Sequence, residues 1–144
     1  PLSDAEALKF LDDMHHAVLF TPGHWIQLGI AEPASDALVG DIGLHLSDDG
    51  TSGEVGFTLQ PSAQGRGVAS RAVCEAVQLL FAATGVIRVL GITDERNLAS
   101  IRLLERIGFE FIERRRVAFR GEPCTEWVYA LARNDGYPYG ATGL

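Results

Sequence analysis

Apolar and polar residues alternate along most of the chain, and the period of that alternation changes as the chain proceeds. Residues 4–17 carry Leu8, Leu11 and, just beyond, Val18 at helical spacing behind a Ser3–Glu6 capping box, which predicts an opening helix. Residues 24–31 and 37–46 then read as strands, the second with Leu38, Ile42, Leu44 and Leu46 on one parity. A third alternating run, 54–59, puts Val55, Phe57 and Leu59 on one face. The links AEPASD and SDDGTSG are rich in turn residues, so the three strands form an antiparallel meander.

The period then lengthens. Ala69, Val73, Ala76, Val77 and Leu80 fall on one helical face, with Arg71, Glu75 and Gln78 on the opposite, solvated side and Gly85 as the stop. IRVLGIT (87–93) is apolar on both parities apart from Arg88, as a central strand covered on both faces would be. Asn97 opens a shorter helix with Leu98, Ile101 and Leu104 inward and Gly108 closing it. Strands over 109–119 and 124–132 follow, joined by the turn RGEP. Residues 1–133 thus make one mixed α/β domain, and 134–144 form a turn-rich tail.

Length and charge narrow the function classes. At 144 residues there is room for one domain with a real core and not for two. A net charge of −7 argues against nucleic acid as a partner, because phosphate binding needs concentrated positive charge. Cationic substrates stay compatible with it. Cys74 and Cys124 have neither metal-type spacing nor a disulfide framework, which points to a reducing cytoplasm. No apolar run reaches the length of a membrane span, so no membrane partner is expected, and no signal peptide is visible. The chain starts at Pro1 rather than Met, which is expected where something has been removed or the gene product begins earlier.

The chemistry concentrates where the third strand hands over to the long helix, in Gln64-Gly65-Arg66-Gly67-Val68-Ala69. Amides at a helix start lack intrahelical acceptors, the helix dipole favours an anion there, and glycines let the backbone approach it closely. A plain glycine turn is the competing reading. Two nucleotide motifs are rejected. A Walker loop needs Gly-Lys-Ser/Thr, and Lys9 is the only lysine. The dinucleotide fingerprint fails because Ser70 stands where its third glycine belongs.

From GEVGFTLQ to RIGFE the chain closely resembles the GNAT superfamily of acyl-CoA-dependent N-acetyltransferases, most of all its RimJ/RimL branch. Gln64 to Ala69 matches the family's Gln/Arg-x-x-Gly-x-Gly/Ala pyrophosphate loop, Asn97-Leu98-Ala99-Ser100 its Asn-x-x-Ser helix start, and Ile107-Gly108-Phe109 its Gly-Phe entry to the next strand. The resemblance implies an α+β-type domain: a mixed sheet with a meander, two splayed strands and flanking helices. The family's first strand and helix, which normally precede Ser3, are missing.

The same resemblance implies acetyl-CoA as cofactor, with no metal, and transfer of its acetyl group to a primary amine. Such transfer requires an anchored cofactor, a polarised thioester, a deprotonated amine and a protonated leaving group. The amides of Gly65 to Ser70, Val68 among them, would hold the pyrophosphate, and Arg66 would add charge or face solvent. The strand before the loop is expected to bulge and splay, so that pantetheine pairs with backbone near Phe57, Thr58 and Leu59. Glu54, on the small polar face it shares with Gly56 and Thr58, matches a proton-relaying glutamate; the competing reading is a strand glutamate paired with an arginine. Asn97 would bond pantetheine or a water, or cap the helix, or both. Ser100 would donate to the departing sulfur, or bond back to its own helix. The tyrosine that many relatives use as the acid is replaced by Leu104, leaving Tyr129 as a fallback whose parity with Trp127 and Leu131 suits a core residue.

The remaining polar residues say less. His15 and His16 are adjacent and cannot share a helix face, and His24 and His45 lack ligand partners at useful spacing. His24 or Trp25 would line the acceptor pocket. Arg114, Arg115 and Arg116 read as a solvated surface or the rim of a homodimer rather than an anion site. Two further readings compete with the enzyme: a non-catalytic acyl-CoA-binding or regulatory domain, and a purely structural domain. The acceptor itself, whether a protein N-terminus, polyamine, amino acid or antibiotic amine, stays open.

Overall fold

The alternating stretches pair as their pattern dictates. In the computed structural model, which describes residues 20–31, 38–60 and 67–134, the strands are β1 (Trp25–Ala31), β2 (Leu38–Leu46), β3 (Ser52–Leu59), β4 (Arg88–Asp94), β5 (Glu110–Phe119) and β6 (Glu122–Ala132). They form one sheet in the order β1-β2-β3-β4-β6-β5, antiparallel except between β3 and β4. Helix α1 (Val68–Ala83) makes the crossover between that parallel pair, and α2 (Leu98–Ile107) carries the chain from β4 past β6 to β5. The predicted helix over 4–17 and the tail beyond Asn134 lie outside the described residues.

Both helices cover one face. A Cβ added to Gly53 would meet Leu80 of α1, and one added to Gly91 would meet Leu104 of α2, so each helix lies close over a strand glycine. Ile42, Leu44, Val55, Val73, Val77, Leu80, Val89 and Leu104 form a single buried cluster there. The opposite face carries His45, Glu54 and Leu90, one residue out of phase along their strands.

Five expectations need adjustment. Leu38 is exposed rather than sharing the buried face of Ile42 and Leu44. The β1–β2 register steps from Ile30↔Gly40 to Ala31↔Leu38, so Val39 is an extra residue and the slip turns Leu38 to the other face, beside Gly29. Leu98 is exposed too. Ile101, Leu104 and Ile107 make the buried stripe at three-residue steps, each of which drifts about 60° on a 3.6-residue helix, carrying Leu98 about 120° from Leu104. Glu75, expected in solvent, is buried, its Oε1 accepting from Arg71 Nε at 3.2 Å one turn back. The strand β4 is central as predicted, but Leu90 and Ile92 on its second face are half-buried, not covered. The last hairpin turns on two residues only, Arg120 and Gly121, both at positive φ as a tight turn requires, so Pro123 already pairs with Ala118 inside β6.

Two devices close the far ends of the helices. Gly108 at φ 116° ends α2, its N–H bonding Leu104 and Glu105 carbonyls. Beyond β6 the Arg133 guanidinium donates to the carbonyls of Phe81, Thr84 and Val86 at 2.7 to 2.9 Å, gathering the last turn of α1 onto the end of the sheet.

Candidate active site

The sheet carries a seam at its centre. The β3–β4 ladder holds only from Ser52↔Arg88 to Val55↔Gly91. Beyond it β3 keeps pairing with β2 as far as Leu59↔Gly40, and β4 keeps pairing with β6 as far as Asp94↔Glu126. Gly56 to Leu59 and Ile92 to Asp94 therefore border a wedge with no partner across it among the described residues. The expected splay is present. The expected bulge is not: the β2–β3 register runs without a shift, so the wedge arises from divergence of the parallel pair alone.

Above the wedge on the helix face lies a cleft of about 630 Å³. Phe57 and Thr58 line it from β3, Gly67, Ala69 and Ser70 from the start of α1, and Asn97 and Ser100 from the start of α2. Gly67 holds φ 77°, a left-handed conformation favouring glycine, and caps α1 with no side-chain bond and no acidic residue in the first turn. Among the described residues no side chain competes for the first-turn amides of α1. Val68 is buried in the core, and its side chain does not line the cleft. Leu59 closes β3 at the wedge, and Gln64, Gly65 and Arg66 lie outside the described residues.

The start of α2 is fixed by its own side chains. Asp94 accepts three bonds from Arg96, at 2.8, 2.9 and 2.8 Å, and these bonds hold its carboxyl down at about 2. The Asn97 N–H bonds the Asp94 carbonyl, and Asn97 Oδ1 accepts from the Ser100 N–H at 3.1 Å. Asn97 is the N-cap, and it also borders the cleft. Ser100 is 8% exposed, yet among the described residues its hydroxyl makes no hydrogen bond, so the back-bonded alternative fails.

Four lining residues escaped the sequence reading: Ala99, Arg102, Leu103 and Arg106. They recur at three- and four-residue steps, a second stripe of α2 beside its buried one. Its periodicity is present in the sequence, beside the stronger apolar stripe of Ile101, Leu104 and Ile107.

Glu54 does not line this cleft. It sits on the opposite face of β3, with His45 across from it and Leu90 on its other side. Burial raises its carboxyl above the ordinary range, opposed by the charges of His45 and Arg115. Arg115 itself reaches Glu126 at 3.9 Å. The fallback acid Tyr129 is buried, donates its hydroxyl to Glu105 Oε2 at 2.9 Å and is pushed up to about 12 by burial and that bond. Leu104 is core, and burial pushes the Cys74 thiol up to about 12. Among the described residues no group of three His, Cys, Asp or Glu could hold a metal, and no helix is long and apolar enough to cross a membrane.

Residues 1–110 match the family described as acetyltransferase (GNAT) domain. The chain belongs to the GNAT family. It is 30% identical over 120 residues to the uncharacterized N-acetyltransferase YoaA of Bacillus subtilis, a match covering 81% of this chain and 68% of that protein. Its fold is that of an acetyltransferase (GNAT family) from Bacillus anthracis, with a TM-score of 0.68 and 22% identity over 74% of this chain and 65% of the other. The same fold is found in RimL, the ribosomal L7/L12 α-N-protein acetyltransferase, in complex with coenzyme A, at a TM-score of 0.61 and 18% identity over 67% of this chain and 56% of that one. The chain thus spans between about half and two thirds of the length of these GNAT proteins.

Proposed function

We propose that this GNAT chain is an acetyl-CoA-dependent N-acetyltransferase of the RimJ/RimL-like kind, moving an acetyl group directly to a primary amine in the cytoplasm. The observation that carries the reading is the central wedge, with an uncapped helix start at its mouth. An acidic chain that binds an anion needs local positive charge. Arg102 and Arg106, one turn apart on the cleft side of α2, supply it.

The cofactor supplies an acyl group activated as a thioester. First-turn amides of α1 from Gly67 to Ser70, continued by Gln64 to Arg66, hold the diphosphate. Backbone of Phe57 to Leu59 at the wedge pairs with the pantetheine amides. Asn97 divides its work: Oδ1 serves the cap, and Nδ2 donates to the pantetheine arm. From the other face Glu54 takes the ammonium proton, directly or through a water, and burial, by raising its pKa above the ordinary carboxylate range, makes it a stronger base for that step. Ser100, with its hydroxyl uncommitted, donates to the departing sulfur.

Titration calorimetry with coenzyme A, followed by thiol release over a panel of amines, tests this. Binding without turnover favours the non-catalytic domain, against which Glu54, Asn97 and Ser100 speak; no binding ends the assignment. Gly67→Glu places a carboxylate at the diphosphate position and is expected to abolish coenzyme A binding. Unchanged affinity refutes that placement.

A further inference from the structure

The face opposite the cleft holds a pit that opens on the same wedge. Gly43 and Gly56 pair directly across β2 and β3 on that face. Above Gly43 the space is taken: a Cβ there would lie 2.9 Å from Gln27 Nε2 and 3.2 Å from the Trp25 ring. Above Gly56, among the described residues, nothing lies within 4 Å. On its far side the ladder to β4 has already ended at Val55. Gly56 is therefore an open floor, bordered on the β2 side by the Trp25 and Gln27 side chains that cover Gly43 and on the other side by the wedge.

The ends of the pit are charged alike. One rung along β3 stands Glu54, opposite His45, whose ring lies 4.9 Å from that of Trp25. One rung the other way stands Thr58, opposite Asp41, which is exposed. Glu54 and Thr58 are four residues apart, so the two carboxylates flank the floor with about 13 Å of strand between them. Over Trp25–Ala31, Asp41–His45 and Ser52–Thr58 there is no lysine or arginine. The nearest guanidinium acting on Glu54, that of Arg115, is turned to Glu126.

We infer that this glycine-floored pit is the acceptor subsite and that it takes an unbranched alkyl amine bearing a second positive charge. The inference rests on the transferase reading above. One ammonium meets Glu54 at the wedge, its stem lies over Gly56 along the Trp25 ring, and the distal ammonium reaches Asp41. An aromatic face attracts a cation, and a carboxylate at each end rewards two of them. A floor without a side chain leaves room for a methylene stem against the strand. Trp25 and Asp41 are then residues that set specificity.

The experiment compares 1,4-diaminobutane, 1-aminobutane and an alanine-initiated tetrapeptide as acceptors, by thiol release, with acetyl-CoA affinity measured in parallel by calorimetry. The diamine is expected to exceed the monoamine at least tenfold in kcat/KM. Asp41→Asn should bring the diamine to the monoamine level, and Trp25→Ala should raise KM for both about tenfold. Gly56→Val, at a strand position with open space above it, should block both amines at least a hundredfold while leaving acetyl-CoA affinity within twofold. A wild-type enzyme that prefers the tetrapeptide, or a Gly56→Val enzyme with unaltered amine kinetics, overturns the subsite but leaves the transferase reading standing. Binding of acetyl-CoA with no turnover of any amine brings down both.

Discussion

Ser100 offers a way to separate chemistry from stability. Its side chain sits at the floor of the cleft, 8% exposed, with a hydroxyl that no group among the described residues engages. Its oxygen is not one of the fully buried unpaired atoms among the described residues, so water in the cleft reaches it and it carries little desolvation cost. Ser100→Ala removes one oxygen from the lining of the cleft. The Asn97 Oδ1 bond to the residue 100 main-chain N–H is untouched, so the helix cap survives. The variant should unfold in urea at the midpoint of the parent, within about 0.5 kcal/mol. Acid assistance contributes about 10²–10⁴-fold, and a thiolate that leaves readily calls for the lower end. The turnover number should therefore fall about 10²-fold, roughly 2.7 kcal/mol of barrier, with acetyl-CoA affinity by calorimetry within twofold. A variant destabilised by more than about 1 kcal/mol would mean the hydroxyl has a structural partner. An unaltered turnover number would remove Ser100 from the reaction.

Two more outcomes follow from packing and charge. Gly91→Ala brings a Cβ to 2.7 Å from Leu104 Cδ2 and 3.2 Å from Cδ1, so the fully buried Leu104 side chain must shift within the core, which should cost about 1–3 kcal/mol; a urea midpoint equal to that of the parent would show that the contact yields freely. Glu54 binds its proton more tightly folded than unfolded, because burial raises its pKa. Its contribution to stability is therefore fully present below the unfolded value and is lost as pH rises through the folded one. Glu54→Gln should flatten that decline and melt higher than the parent at pH 7, while losing activity; melting curves from pH 4 to 8 that superimpose for the two proteins contradict the assignment of burial as the cause.

Most of the fold was legible because its elements have clean periods. Val55 against Glu54, and Val73, Val77 and Leu80 against Gln78, announce a strand and a helix without reference to anything distant. What stayed hidden was set by pairing between segments. Leu38 reads as buried until Val39 is squeezed out of the ladder, and no local pattern marks that residue. Glu75 reads as solvated until Arg71 reaches it. In the candidate site, the glycine loop is legible from helix-start chemistry, which is local, and Asn97 and Ser100 from the resemblance to the family's Asn-x-x-Ser helix start. Arg102 and Arg106 were missed because the side of a helix that faces a cleft looks, in sequence, like the side that faces water. The pit over Gly56 was invisible for a different reason: Gly43 lies thirteen residues away, and only strand register brings the two together.

A six-stranded sheet ordinarily has two borders, and this one has four. Where β3 and β4 part company, two interior strands turn bare main-chain groups toward each other across a gap, in the region where such sheets are otherwise most fully bonded. The molecule is thus least finished at its middle. A ligand whose amides paired with both strands would complete the hydrogen-bond network as a missing strand does, so that occupancy and rigidity would become one event.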